Sequence, residues 1–111
     1  MKLKVLNKKY VALATCDKKG NPHNIVVQVS EIKDKEIFIT DNFMQKTKEN
    51  ILNNPKIALV FWKGEEGIKI NGTAKYIDSG EILDKIKKLK ENKEFPTKGV
   101  VVIKFDEIKI A

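Results

Sequence analysis

Six short apolar runs, separated by polar turns, restrict this chain to an antiparallel β architecture. They are YVALATC (10–16), IVVQV (25–29), EIFIT (36–40), IALVFW (57–62), IKINGTAKYI (68–77) and GVVVIKFDEIKI (99–110). Many are rich in β-branched residues, which suit a pleated, half-buried surface. IKINGTAKYI also alternates with the period of a strand: Ile68, Ile70, Gly72, Ala74 and Tyr76 share one face, and Lys69, Asn71, Thr73 and Lys75 the other. IALVFW is almost wholly apolar and is expected to be covered on both faces. Gly72, in mid-strand, points to a bulge or a close backbone approach.

Lys18-Lys19-Gly20-Asn21 and Asp34-Lys35 read as tight turns, and such short connections make successive strands antiparallel neighbours. About six strands in 111 residues suggest one domain built as a closed or partly closed barrel. Two main helices interrupt them. The first starts near Lys46-Thr47 and stops at Asn54-Pro55, because the residue before proline is pushed out of the helical region. The second follows a capping-box-like Asp78 and Glu81, carries the stripe Ile82, Leu83, Ile86 and Leu89, and ends before Phe95-Pro96-Thr97. Leu3, Leu6 and Tyr10 are spaced for a short helix or turn ahead of the first strand. GVVVIKFDEIKI is read as one final strand.

An apolar share of 41% and a charged share of 33% suit a globular domain. No apolar run approaches the ~20 residues of a membrane helix, so no membrane partner is expected. One cysteine, Cys16, excludes an internal disulfide framework and fits a reducing cytoplasm. The formal net charge of +7 raises nucleic-acid binding as an option, yet all 22 basic residues are lysines scattered among the acids. Arginine is the residue suited to bidentate phosphate and base contacts, so a solvated lysine-rich surface is expected and no nucleic-acid partner.

The sequence lacks the usual catalytic sets. His23 is the one histidine, which excludes a metal site built from several; at a strand start it reads as a surface or capping residue before a ligand contact. Cys16 lies in an apolar strand, where a thiol behaves as a small hydrophobe. No G-x-G-x-x-G or Walker sequence is present. What remains is TDNFMQKTKENILNNP (40–55): an apolar strand ends in a polar turn, and Lys46-Thr47 stand where a helix begins. A helix start offers N–H groups without partners and a positive dipole end, and an ammonium and a hydroxyl there complete a seat for phosphate.

In ALATCDKKGNPHNIVVQ (12–28), EIFITDNFMQKTKENILNNPKIALVFW (36–62) and IKINGTAKYI (68–77), the chain resembles the FMN-binding split-barrel family related to pyridoxamine 5′-phosphate oxidase, especially its small FMN-binding proteins. The resemblance implies a mainly β fold: a six-stranded antiparallel split β-barrel with two to three short helices. It also implies a homodimer with FMN at the subunit interface. By position, Val26, Val27 and Gln28 would contact the isoalloxazine rim, largely through the backbone. Thr40, Asp41 and Asn42 would pass near the ring or ribityl chain. Lys46 and Thr47 would hold the phosphate, with Asn50 as a helper. Trp62 and strand 68–73 of the partner subunit are candidates to cover the ring.

Relatives that oxidise pyridoxamine phosphate bring several arginines to their substrate, and this chain has none, which argues against that reaction. The expectation is therefore a small cytoplasmic flavoprotein passing electrons or hydride to a small-molecule redox partner or an electron-transfer protein. Two alternatives stay open: a deazaflavin- or heme-binding relative on the same fold, and a non-catalytic ligand-binding module.

Overall fold

The computed structural model describes residues 3–89, 92–105 and 108–110. A 3-10 turn, Leu3–Leu6, leads into β1 (Tyr10–Cys16), where Val11, Leu13 and Thr15 are buried and the residues between them are not. The polar turn returns the chain as β2 (Pro22–Lys33), in register from Tyr10 opposite Gln28 to Cys16 opposite Pro22. β2 outruns the expected 25–29 segment: its register shifts between Val29 and Glu31, and beyond that bulge it continues to pair with β3 (Glu36–Asp41).

α1 (Gln45–Asn53) follows, and its C-cap Asn54 is extended ahead of Pro55, as the proline requires. β4 (Lys56–Lys63) and β5 (Glu66–Ile77) form the next hairpin, α2 (Glu81–Lys87) crosses over, and β6 (Gly99–Phe105) completes the ring. The order β4-β1-β2-β3-β6-β5, with β4 also paired to β5 and every pair antiparallel, closes a six-stranded barrel. Its interior is sealed by Leu13, Val29, Ile39, Leu59, Ile70 and Ile103, all essentially inaccessible. Each such side chain contributes roughly 1.5–3 kcal/mol through burial. No helix among the described residues is long and apolar enough to cross a membrane.

Four expectations change. The strand covered on both faces is β6, not β4: Val101 and Ile103 point into the barrel, and Val100 and Val102 pack outside against Leu83 and Ile86 of α2. β4 has no such cover, so Ile57, Leu59 and Phe61 are buried while Ala58 and Trp62 are exposed. The last apolar run is not one strand. β6 pairs along Gly72–Ile77 of β5, and a separate β7 (Lys109–Ile110) pairs with Ile68 and Lys69; residues 106 and 107 lie outside the described residues. α2 starts after Gly80, whose φ of 97° suits glycine, and no side chain caps it, so Asp78 does not act as a cap. Ile82 of the expected stripe is left exposed.

Gly72 marks a close approach and not a bulge. A Cβ there would lie 2.3 Å from the Lys104 carbonyl oxygen, while the β5–β6 register runs unbroken from Gly72 to Ile77.

Candidate functional site

The handover from β3 to α1 is fixed by a buried carboxylate. Asp41 accepts the Met44 backbone N–H at 2.9 Å through Oδ1 and the Tyr76 hydroxyl through Oδ2. Burial first, and then this acceptor, push the Tyr76 phenol above its ordinary value. A Cβ on Gly99 would meet the Tyr76 ring at 2.4 Å, so the glycine leaves room for Tyr76 to lie across β6. Lys48 covers the same ring, with Nζ 4.8 Å from its centroid.

With that corner held, α1 opens with three N–H groups, those of Gln45, Lys46 and Thr47, that have no acceptor among the described residues. The first helical bond runs from Lys48 N–H to the Met44 carbonyl at 2.9 Å. No acid stands in the first turn. Thr47 is 1% exposed, and its hydroxyl is buried without a hydrogen-bond partner among the described residues. Nearby, the β1–β2 turn is tied by Asp17, which accepts from the Asn21 side chain and from the backbone N–H groups of Asn21 and Lys19, each at 2.9 Å. Those bonds, led by the Asn21 side chain and helped slightly by Lys46, hold its carboxyl below the usual range.

Lys46 and Thr47 line a cleft of about 620 Å³ between β2, the start of α1 and the connection from α2 to β6. That size suits a mononucleotide-scale ligand. β2 runs along it from His23 to Ser30. A polar cluster supplies another part of the wall: Ser30 Oγ and Thr40 Oγ1 lie 2.6 Å apart, and Asn92 Nδ2 donates to Thr40 Oγ1 at 3.1 Å and to the Ile86 carbonyl at 2.9 Å. Among the described residues no group of three metal-binding side chains gathers anywhere.

Of the expected contacts, Val26, Val27, Gln28, Thr40, Asn42, Lys46 and Thr47 come together on this cleft. Asp41 and Asn50 do not. Asp41 is occupied as described, and Asn50 is buried on the side of α1 that faces β1, where its Nδ2 donates to Thr15 Oγ1 at 3.0 Å. Both tie α1 to its neighbours, Asp41 through Met44 and Tyr76 and Asn50 through Thr15. Gln28 also turns its amide away, donating from Nε2 to the Lys8 carbonyl at 3.0 Å, and Asn42 Oδ1 accepts the Thr97 N–H at 2.9 Å.

Sequence reasoning missed Tyr10, Ser30, Phe43, Asn92 and Phe95, and gave His23 only a minor part; all six line the cleft. Tyr10 stands at the head of the apolar run 10–16. Its inward-facing neighbours Val11 and Leu13 leave it on the opposite face, 66% exposed, and strand alternation alone could have shown this. Phe43 stands just ahead of α1, 76% exposed. Asn92 is 52 positions from the Thr40 it binds, and nothing local in the sequence points to it.

The pyridoxamine 5′-phosphate oxidase family model matches residues 2–110. The chain belongs to this family. It is 36% identical to the uncharacterized protein MJ0282 of Methanocaldococcus jannaschii, over 96% of this chain and 75% of that one. It is also 37% identical to a pyridoxine/pyridoxamine 5′-phosphate oxidase of Psychrobacter cryohalolentis over 62% of this chain, a match spanning only 33% of the enzyme. Among solved structures, HupZ of Group A Streptococcus superposes with a TM-score of 0.86 at 26% identity, covering 96% of this chain and 88% of that one. An FMN-binding protein of Syntrophomonas wolfei gives 0.77 at 21% identity, over 91% and 76% of the two chains. The heme storage protein HutZ of Vibrio cholerae gives 0.69 at 12%, over 97% and 91%. Those last two likenesses bear on the fold alone.

Proposed function

We propose that this chain is a small flavoprotein that binds FMN without a covalent bond and passes electrons or hydride. The observation that carries the reading is the Thr47 hydroxyl, buried in the first turn of α1 beside Lys46 and three N–H groups, where neither the hydroxyl nor those N–H groups has a partner among the described residues. Leaving a buried hydroxyl unsatisfied costs roughly 1–3 kcal/mol. A phosphate accepts from all of these donors at once, with the helix dipole in its favour. FMN supplies one- and two-electron transfer when bound.

The residues around it bind and orient. Lys46 and Thr47 would anchor the phosphate, the β2 backbone at Val26–Gln28 would border the ring, and Ser30, Thr40 and Asn92 would give the cleft a hydrogen-bonding wall. With no arginine in the chain, the functional partner is a small-molecule oxidant or reductant, or an electron-transfer protein, and not pyridoxamine phosphate.

The working unit in this reading is a homodimer. The outer faces of β1, β2 and β4 carry Tyr10, Val26 and Trp62, which are 66%, 70% and 60% exposed. Ala12, between them, is in register with both Val26 and Val60. No described element covers this apolar sheet face, whereas α2 covers the corresponding face of β6. Tyr10 and Val26 also line the cleft, so a second copy docked here would shield the cleft from water.

One observation favours a second reading. His23 lines the cleft, and an imidazole is a usual axial ligand of heme iron. Both readings are tested by the ultraviolet-visible spectrum of the purified protein, alone and after addition of FMN or hemin. Flavin bands that shift and saturate at one FMN per chain support the first. A Soret band abolished by His23→Ala, with no response to FMN, supports the second and overturns the first.

A further inference from the structure

The polar cluster on the cleft wall holds more information than its role in packing. The Ile86 carbonyl can only accept, so the side of the Asn92 amide that meets it at 2.9 Å must be the NH2 group. The second hydrogen of that NH2 goes to Thr40 Oγ1 at 3.1 Å. Both amide hydrogens are thereby used, and the Asn92 carbonyl has no donor among the described residues. Thr40 and Ser30, 2.6 Å apart, hold two hydroxyl hydrogens and need one for the bond between them. Whichever donates, one hydroxyl hydrogen is left over. Asn92 and Ser30 are almost wholly buried, and both line the cleft together with Thr40.

We infer that Asn92 and the Ser30–Thr40 pair form an acceptor set beside a donor, and that this pair reads the imide edge, O=C–N–H, of a planar heterocycle. The inference rests on the flavin reading and adds to it the edge by which the ring is recognised. An imide presents one N–H next to a carbonyl oxygen, matching the Asn92 carbonyl and the spare hydroxyl hydrogen. A porphyrin rim carries carboxylates and alkyl groups, with no such N–H. The wall is also held in place before any ligand arrives: the Thr97 N–H binds Asn42 Oδ1 at 2.9 Å and the Lys98 N–H binds the Asp41 carbonyl at 2.8 Å. Asn92 is thus positioned by its own donors and by the segment that follows it.

The test compares FMN with N3-methyl-FMN, in which the imide hydrogen is replaced, by fluorescence titration of the purified protein. N3-methylation should weaken binding about tenfold or more in the wild type, from one lost hydrogen bond and the crowding that accompanies it. In Asn92→Ala the penalty should fall below about threefold. Ser30→Ala leaves the α2–β6 connection anchored and keeps the experiment decisive if Asn92→Ala fails to fold; it should weaken FMN about threefold to tenfold while leaving the N3-methyl penalty intact. A change that only loosened the fold would weaken both ligands alike and leave their ratio unmoved. The penalty should be the same size for riboflavin and its N3-methyl form, because the phosphate seat is not involved. If wild type binds FMN and N3-methyl-FMN equally, the inference is overturned and the flavin reading stands. If it binds neither, both fall.

Discussion

The two helices of this protein begin in opposite electrostatic states. α2 carries Glu81 and Asp84 in its first turn and Lys85 and Lys87 in its last, so its own side chains match its dipole. α1 has no acid in its first turn, a lysine at its second position and an unsatisfied threonine hydroxyl at its third. α2 closes its circuit within the chain and works as packing, laying Leu83 and Ile86 on β6. α1 leaves the circuit open on a cleft. The contrast is why the proposed function is built on one helix start and not the other: only α1 offers a ligand an unmet demand.

The largest way to break this comparison is to remove the demand. Lys46→Ala with Thr47→Ala should lower FMN affinity about tenfold to a thousandfold, since charge-assisted hydrogen bonds are worth ~1.5–3 kcal/mol each, and should leave riboflavin affinity unchanged by calorimetric titration. Tyr76→Phe removes the hydroxyl from Asp41 and should cost about 1.5–3 kcal/mol in chemical denaturation at neutral pH, because a buried carboxylate loses a partner. The sign with pH follows from the raised phenol. Its contribution is fully present below the ordinary value of 10.0 and is lost as pH rises beyond it, so wild type and Tyr76→Phe should converge in alkaline solution.

Thr47→Val tests the open hydroxyl alone. Stability without ligand should hold or rise by up to ~1 kcal/mol, because no bond is lost and a buried polar atom is removed, while FMN affinity falls. A loss of stability would mean that the hydroxyl has an internal role. The smallest effect comes from making α1 resemble α2. Gln45→Glu should weaken FMN about threefold to fivefold at low salt, whereas Glu81→Gln with Asp84→Asn should cost ~0.3–1 kcal/mol of stability per charge and leave FMN binding unchanged.

The barrel was legible in the sequence because strand periodicity is local. Val11, Leu13 and Thr15 show their inward face in seven consecutive letters, and Asn54-Pro55 stops α1 where backbone sterics say it must. The open start of α1 was legible for the same reason: Lys46 and Thr47 are adjacent and their helix start is signalled nearby. Errors appeared wherever the outcome depended on a distant element. Whether β4 or β6 is covered on both faces depends on where α2 lands. Asp41 was expected near the ring or ribityl chain, yet it lies off the cleft, bonded to Tyr76 from 35 positions away. Asn50 was drawn to Thr15 by an equally long-range bond, and the α2–β6 wall with Asn92 exists only once the barrel has closed.

The central claim is that α1 opens onto the cleft as a seat for phosphate. Parallel calorimetric titrations of the wild-type protein with FMN and with riboflavin test it most directly. The account predicts binding of FMN about a hundredfold or more tighter than riboflavin, the worth of one to two charge-assisted bonds. Equal affinity for the two ligands would contradict it.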